Sequence, residues 1–432
     1  VLLSILLLPL LGAIACLLVP RERPGLVRGI SLGVGLLGIV QGVLLWLRFD
    51  PAGPTWQMLS EHAWIPQIGV TWRLGIDGIA LLLIELTLLL LPLVLLFSWA
   101  SVSERLKEYQ ACLLLLQVGM LGVFASLDLF VFFVFWEVML VPMYLLIGAW
   151  GGANRRYAAI KFFLYTAAGS AFMLVGFLAL WTKNGENFDM RSLAGLHLEP
   201  RLQGWLFLAL FLGFAIKVPM FPFHTWLPDA HGEAPTAGSA ILAGVLLKMG
   251  TFGFVRLAIP VLPDAARAWM PFLVALCVIG IVYGALTAMA QQDMKYLVAY
   301  SSVSHLGFVM LGIFCLTPSG LAGGLVQMLN HGLSTGALFL LVGMIYDRRH
   351  TKRISDFGGV AKAMPIYATL LVIAALSSIA VPGLNGFVGE FTILAGVVEL
   401  VLDDWRWMIV MAFAASAVVL GAAYTLWMVK RV

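Results

Sequence analysis

Six ionisable side chains stand near the middle of long apolar runs. Glu137 lies in FVFFVFWEVMLVP, Lys217 closes WLFLALFLGFAIK and Lys248 lies in AILAGVLLKMGTFG. His305 follows Ser301, Ser302 and Ser304, His331 lies in GLVQMLNHGLSTGALF, and Glu390 lies in GFVGEFTIL. In a bilayer, each charge at mid-depth costs about 2.5–3.5 kcal/mol on insertion scales. The two Glu and two Lys together cost roughly 10–14 kcal/mol, more than a typical domain's margin. They must therefore face one another, or water, inside a bundle. The residue types specify the chemistry. Lysine gives up its proton readily when desolvated, whereas arginine stays charged, and no Arg occupies a mid-run position. A row of Glu, Lys and His can pass protons under electrostatic control, because a neighbouring carboxylate decides whether an ammonium keeps its proton. A sugar or amino-acid carrier needs instead a few polar groups converging on one cavity.

Each signal taken alone has a plainer reading. A lone mid-membrane histidine is often satisfied by a helix neighbour, and a structural ion pair is the lesser reading of Glu137 with Lys217. Asp77, Glu85, Asp128 and Lys161 lie nearer run ends and are expected at the interface. Lys295, in QQDMKYLVAYSSVSHLGF, is either an anchor or a proton-uptake group. His224, Asp229, His231 and Glu233 match no metal-ligand spacing, so no metal is expected. Cys16, Cys112, Cys277 and Cys315 are isolated in apolar runs and read as packing residues. Gly33-Val34-Gly35-Leu36-Leu37-Gly38 has the letters of a dinucleotide motif, but it lies inside an apolar run rather than at a strand-to-helix turn. Close helix packing explains it better, and no flavin, iron–sulfur or nucleotide site is expected in this chain.

The elements that must position these groups are membrane helices. The chain has 432 residues, 62% hydrophobic and 11% charged, against about 25% charged in a soluble domain. Apolar runs near 20 residues indicate helical spans rather than barrel strands. A net charge of +4, dispersed in short loops, gives no sign of nucleic-acid binding. Thirteen spans are expected, roughly 1–19, 29–47, 75–98, 109–126, 127–149, 158–181, 205–229, 235–259, 269–290, 294–316, 319–345, 363–400 and 405–428. The seventh breaks at Lys217-Val218-Pro219 and the twelfth around Val381-Pro382-Gly383. Proline removes an N–H donor and clashes with the preceding turn, and the carbonyls it frees are tolerated only against protein or water. From Trp205 to Lys217 a helix climbs roughly 20 Å of a core about 30 Å thick, so the first break falls within the membrane. Five spans separate the two breaks, which makes the broken helices antiparallel and signals an inverted repeat. The expected organisation is 1–108 (three spans and an outer loop), 109–259 (first five-helix repeat) and 260–432 (second repeat). Loops after odd-numbered spans are richer in Lys and Arg, which places them in the cytoplasm and the N-terminus outside. The outer loop 48–74 holds Ile68-Gly69-Val70-Thr71-Trp72-Arg73, which predicts a short hairpin. The first run lacks a basic start and cleavage site and reads as a span. The chain opens without Met and stops at Lys430-Arg431-Val432, which reads as a fragment or trimmed chain.

Three stretches together carry a family resemblance: FVFFVFWEVMLVPMYLLIG, KVPMFPFHTWLPDAHGEAPTAGSAILAGVLLKMG, and DMKYLVAYSSVSHLGFV followed by NHGLSTGALFLLVG. They resemble the antiporter-like subunits of respiratory complex I, which share a fold with subunits of Mrp sodium/proton antiporters and of membrane-bound hydrogenases. The resemblance covers nearly the whole chain. Where NuoL-type, NuoN-type and Mrp chains carry lysine on the broken twelfth helix, this sequence has Glu390, as in the NuoM type (chain 4 in mitochondria). The resemblance implies a proton-translocating subunit of a bacterial inner membrane, beside NuoL-type and NuoN-type partners and membrane lipid, with FMN, iron–sulfur clusters and quinone in other subunits. It implies Glu137 and Lys217 as a modulating pair, Lys248 as the central proton carrier, His305 and His331 along the polar axis, and Glu390 as the terminal group. It also implies a fourteenth helix that this sequence lacks. Alternatives are an Mrp-type Na⁺/H⁺ antiporter subunit, a hydrogenase membrane arm, or an assembly scaffold with inert charges.

Overall fold

A computed structural model describes residues 2–432. The chain is an all-α polytopic membrane protein, and every expected span is a helix or a broken helix. Among the described residues, eleven helices are long and apolar enough to cross a membrane, from Pro24–Arg48 to Trp405–Arg431. The first span is the shorter Leu2–Leu18. The seventh is split into Pro200–Lys217 and Trp226–Glu233, and the twelfth into Pro365–Ser378 and Asn385–Asp403.

Local sequence sets the helix starts. Pro24, Pro200, Pro263, Pro318 and Pro365 each open a helix, where the missing N–H costs nothing. The side chains of Asp77, Asp128 and Asp293 cap three others by accepting from backbone N–H groups, and Thr317 caps the helix that Pro318 opens. Inside the fifth span the helix is interrupted at Met139. Pro142 explains it, since its ring excludes a bond to the Val138 carbonyl four residues back. The span Thr236–Val261 contains two π-helical turns, Leu242–Leu246 and Phe254–Ala258.

The chain forms two compact units: Val1–Phe214 with Lys248–Ala265, and Ala215–Leu247 with Ala266–Val432. In the first unit, Leu106–Ala125 is almost wholly buried and forms the core. Helix Leu2–Leu18 packs on it, and Pro24–Arg48 packs on Gly78–Ser101. The predicted hairpin is present as β1 (Gln57–Ile65) and β2 (Val70–Ile76), antiparallel, with Glu61 opposite Arg73. In the second unit, Met294–Phe314 is the most buried helix, and Pro318–Arg349 packs between it and Asn385–Asp403. That contact depends on absent side chains. A Cβ at Gly323 would stand 2.5 Å from the Ile393 nitrogen, and one at Gly312 would stand 2.7 Å from the Gly320 carbonyl. Small residues let these backbones approach closely, which brings Glu390 against the polar face of Pro318–Arg349.

Candidate functional site

Hydrogen bonds bridge both breaks. At the first, the Ile216 carbonyl accepts from the Trp226 indole at 2.9 Å, and the Ala215 carbonyl from the Met220 N–H at 2.9 Å. Lys217 ends the helix at this point and is 1% exposed. At the second break, Gly383 has φ +94, a conformation that favours glycine. The Ser377 hydroxyl donates to Asn385 Oδ1 at 2.5 Å and ties the two half-helices together.

The second unit brings three predicted residues into one cluster. His305 Nδ1 lies 3.1 Å from Glu390 Oε1, and its ring centre lies 6.0 Å from that of His331. The other His305 nitrogen faces two hydroxyls, Ser378 and Tyr424, each at 3.4 Å. On the opposite side, Gln327 donates to the same Glu390 oxygen at 3.2 Å. Asn330 donates to Gln327 Oε1 at 3.2 Å and to the Asn385 carbonyl at 2.7 Å, while the Asn385 amide donates back to Asn330 Oδ1 at 3.3 Å. The result is a continuous polar chain from Ser377 at the break to Tyr424 on the last helix. All three titratable members are buried. A pocket lined by His305, Glu390, Ile379 and Gly421, with about 10 Å³ open to water, adjoins it and matches one water molecule in scale. With Nδ1–H directed at the carboxylate, Nε2 accepts from a hydroxyl, and protonating Nε2 frees Nδ1–H to leave. A histidine held in this way can take a proton on one face and release it on the other.

The other predicted residues stand elsewhere. Lys248 is fully buried and lies two residues beyond the first π turn, a distortion frequent at functional sites. Its carbonyl accepts from the Thr251 hydroxyl at 2.9 Å. Glu137 is half-buried beside the Pro142 interruption, and its Oε1 is buried with no hydrogen-bond partner among the described residues. Lys248 and Glu137 belong to the first unit, and Lys217, His305, His331 and Glu390 to the second.

Among the residues first read as background, Lys295 is buried and its ammonium donates to the Ala234 carbonyl, while Lys352 donates to the Gly232 carbonyl at 2.9 Å. Two cations thus cap the end of the half-helix Trp226–Glu233, where the helix dipole favours positive charge. His231 stacks on Phe339 at 4.4 Å and His224 on Phe221 at 5.7 Å. Two of the residues expected at the interface are more enclosed than their positions suggest. Glu85 lies well inside Gly78–Ser101, packed against Gly42, with a buried Oε1 that lacks a partner among the described residues. Asp128 is completely buried: it caps Leu129–Val138 and lies 3.9 Å from Arg73. Gln327, Asn330, Asn385, Ser377, Ser378 and Tyr424 were missed by sequence reasoning. For all but Tyr424 the one signal was the density of polar residues in VQMLNHGLST and SSIAVPGLNG.

Residues 126–420 match the family described as NADH:quinone oxidoreductase/Mrp antiporter, TM. The chain is 45% identical over 416 residues to NADH-quinone oxidoreductase subunit M of Rhodobacter capsulatus, covering 93% of this chain and 79% of that one. It is 42% identical over 430 residues to NADH-ubiquinone oxidoreductase chain 4 of Marchantia polymorpha, covering 99% and 86%. A chain in the structure of respiratory complex I from Thermus thermophilus with bound NADH superposes with a TM-score of 0.91 at 34% identity, covering 100% of this chain and 88% of that one. With two thirds of its length matched by the family and relatives above 40% identity along nearly all of it, the chain belongs to the NADH:quinone oxidoreductase/Mrp antiporter transmembrane family.

Proposed function

We propose that the chain is an antiporter-like, proton-translocating membrane subunit of NADH:quinone oxidoreductase in a bacterial inner membrane, driven by quinone reduction in other subunits. The names of its relatives support the complex. The observation that carries the proton chemistry is the buried pair Glu390–His305, hydrogen-bonded onward to hydroxyls on one side and amides on the other. In this reading the NuoL-type and NuoN-type chains are its neighbours. FMN, the iron–sulfur clusters and quinone belong to partner subunits, and this chain holds no redox centre. Spans 4–8 and 9–13 are the two inverted repeats, each with one broken helix.

Glu137 and Lys217 act as the modulating pair. When the carboxylate is near, the ammonium is stabilised; when they separate, its proton moves on to Lys248. His305 and His331 continue the path, and Glu390 is the terminal carrier. Outward transfer against the membrane potential costs about 2.3 kcal/mol per charge per 100 mV, which the chain must obtain through its partners. Glu390→Gln keeps the size and hydrogen bonding of the side chain but cannot ionise. It is expected to lose most quinone-linked proton pumping in vesicles while the complex still assembles on native gels. Near-normal pumping by that variant would make the carboxylate a brace for the Pro382 break.

A further inference from the structure

The first unit holds a cavity of about 390 Å³ between the loop 19–23 and the start of the helix Leu106–Ala125, lined by Arg21, Pro24, Val27, Arg105, Lys107 and Glu108 among others. Three cations face one carboxylate across it. That carboxylate is weakly engaged, since Arg21 reaches Glu108 only at 3.9 Å with an 84% exposed side chain. Two helices begin at this cavity, and their N-termini invert the usual pattern. An N-cap is normally Ser, Thr, Asp or Asn, whose oxygen accepts from the first N–H groups. Here the N-caps are Arg23 and Arg105, and neither helix has a side-chain cap bond. The positive end of the helix dipole and the arginine charge therefore add, where a protein normally supplies an acceptor. Arg105 also stands in the left-handed region, at φ 51, which costs a non-glycine residue energy and recurs at ligand clamps. Its guanidinium is held 5.4 Å above the Trp150 ring, and the Trp150 indole donates to the Glu104 carbonyl at 2.9 Å.

We propose that this cavity binds the phosphodiester headgroup of an anionic phospholipid. The charge calls for a phosphate-bearing anion, and the location selects the lipid as its source. Four apolar helices end or begin here, at Leu18, Pro24, Ser101 and Leu106, which sets the cavity at headgroup level. Beside it, Leu17, Leu18 and Leu26 are 44%, 78% and 48% exposed and give the acyl chains a surface running into the bilayer. The volume lies in the range of small-ligand sites and leaves room for a glycerol phosphate. Arg21, Arg105 and Lys107 pair with the phosphate oxygens, which also serve as the missing cap acceptor for the first N–H groups of Leu106–Ala125.

The test uses the full chain in its native membrane assembly, delipidated in detergent and titrated with phosphatidylglycerol, phosphatidylcholine or inorganic phosphate, with bound molecules counted by native mass spectrometry. The wild type should hold one more phosphatidylglycerol than the triple variant Arg21→Gln, Arg105→Gln, Lys107→Gln. At about 1 kcal/mol per basic residue near the surface, the triple variant should bind at this site about 100-fold more weakly. Phosphatidylcholine should not occupy the site, millimolar inorganic phosphate should not displace the lipid, and Arg48→Gln, outside the cavity, should bind normally. If the triple variant does not assemble, Arg105→Gln alone should weaken binding about fivefold, and Arg105→Lys should restore most of it. Equal lipid counts in wild type and charge-removed chains overturn the proposal. Displacement by inorganic phosphate alone also overturns it, because the cavity would then be a soluble-anion site.

Discussion

At the scale of single residues, the candidate path rests on groups whose charge depends on a neighbour. In the proposed pair, Glu137 stabilises the Lys217 ammonium, so removing either partner stops the cycle. Groups that act as a unit are non-additive. Glu137→Ala and Lys217→Ala should each lose most pumping, and the double variant should be no worse than the worse single one. Pumping defects that simply add would show that the two act independently. The His305 ring gives a second expectation. Two hydroxyls, Ser378 and Tyr424, stand at the same 3.4 Å from Nε2, so either one can serve. Ser378→Ala and Tyr424→Phe should each reduce pumping less than about twofold, whereas the pair should reduce it about tenfold, the size expected when a buried network loses its remaining partner. A tenfold loss in one single variant would identify that hydroxyl as the sole partner.

At the scale of elements, the hairpin is fastened to the helix ends by a network of charges in the first unit. Arg73 lies 3.3 Å from Glu61, 3.4 Å from Asp189 and 3.9 Å from Asp128, and Arg191 lies 2.8 Å from Glu61 and 2.7 Å from Asp189. Arg73→Gln leaves Asp128 buried without its cation. It should cost about 3–5 kcal/mol, the usual result of removing one partner of a buried pair, seen as a lower melting temperature of the assembled chain. The two carboxylates respond to pH in opposite directions. Burial raises Asp128 above the usual carboxylate range, against hydrogen bonds from Thr71, Val131 and Phe130 and the charge of Arg73. Burial also opposes ionisation of Asp189, but hydrogen bonds from Arg191 and the charge of Arg73 outweigh it, so Asp189 is held below that range. A depressed carboxylate contributes stability that is complete above its ordinary value of about 3.9 and lost as pH falls through its folded value. The raised Asp128 works in reverse, since its ionisation costs stability as pH rises. The protection factors of amides in the loop 184–193, with the intrinsic exchange rate divided out, should therefore change little from neutral pH to about pH 5 and fall in acid below about pH 4. They should fall more sharply in Asp128→Asn, which leaves Asp189 alone. Acid protection in that variant would reverse the assignment.

At the scale of the whole molecule, orientation follows from charge in the loops rather than from any single contact. The loop 346–362 carries Arg348, Arg349, Lys352, Arg353 and Lys362, and clustered cations resist export across the bilayer. Cysteines placed in 346–362 should react with a membrane-impermeant reagent only in inverted vesicles, and those in 182–204 only in intact cells. Labelling of 346–362 from outside would invert the topology and with it the direction assigned to proton transfer.

Hydropathy and helix breaking are local, and the sequence alone settled what depends on them. A run near 20 apolar residues specifies a helix whatever surrounds it, so each of the thirteen expected runs was legible as a helix or a broken helix. Proline removes its own donor, so the breaks beside Lys217 and before Glu390 were legible too. The cost of a charge at depth is likewise a property of one residue and its position, and this marked Glu137, Lys217, Lys248 and Glu390. Which helix faces which is not local, and only the tertiary structure decided it. Uncharged polar residues such as Gln327, Asn330 and Tyr424 cost too little to stand out in a hydrophobic run. They become a chain to Glu390 only because glycines let Pro318–Arg349 and Asn385–Asp403 approach closely. The packing of Glu85 against Gly42 and the burial of Asp128 against the hairpin were hidden for the same reason: each is set by contact between segments distant in sequence.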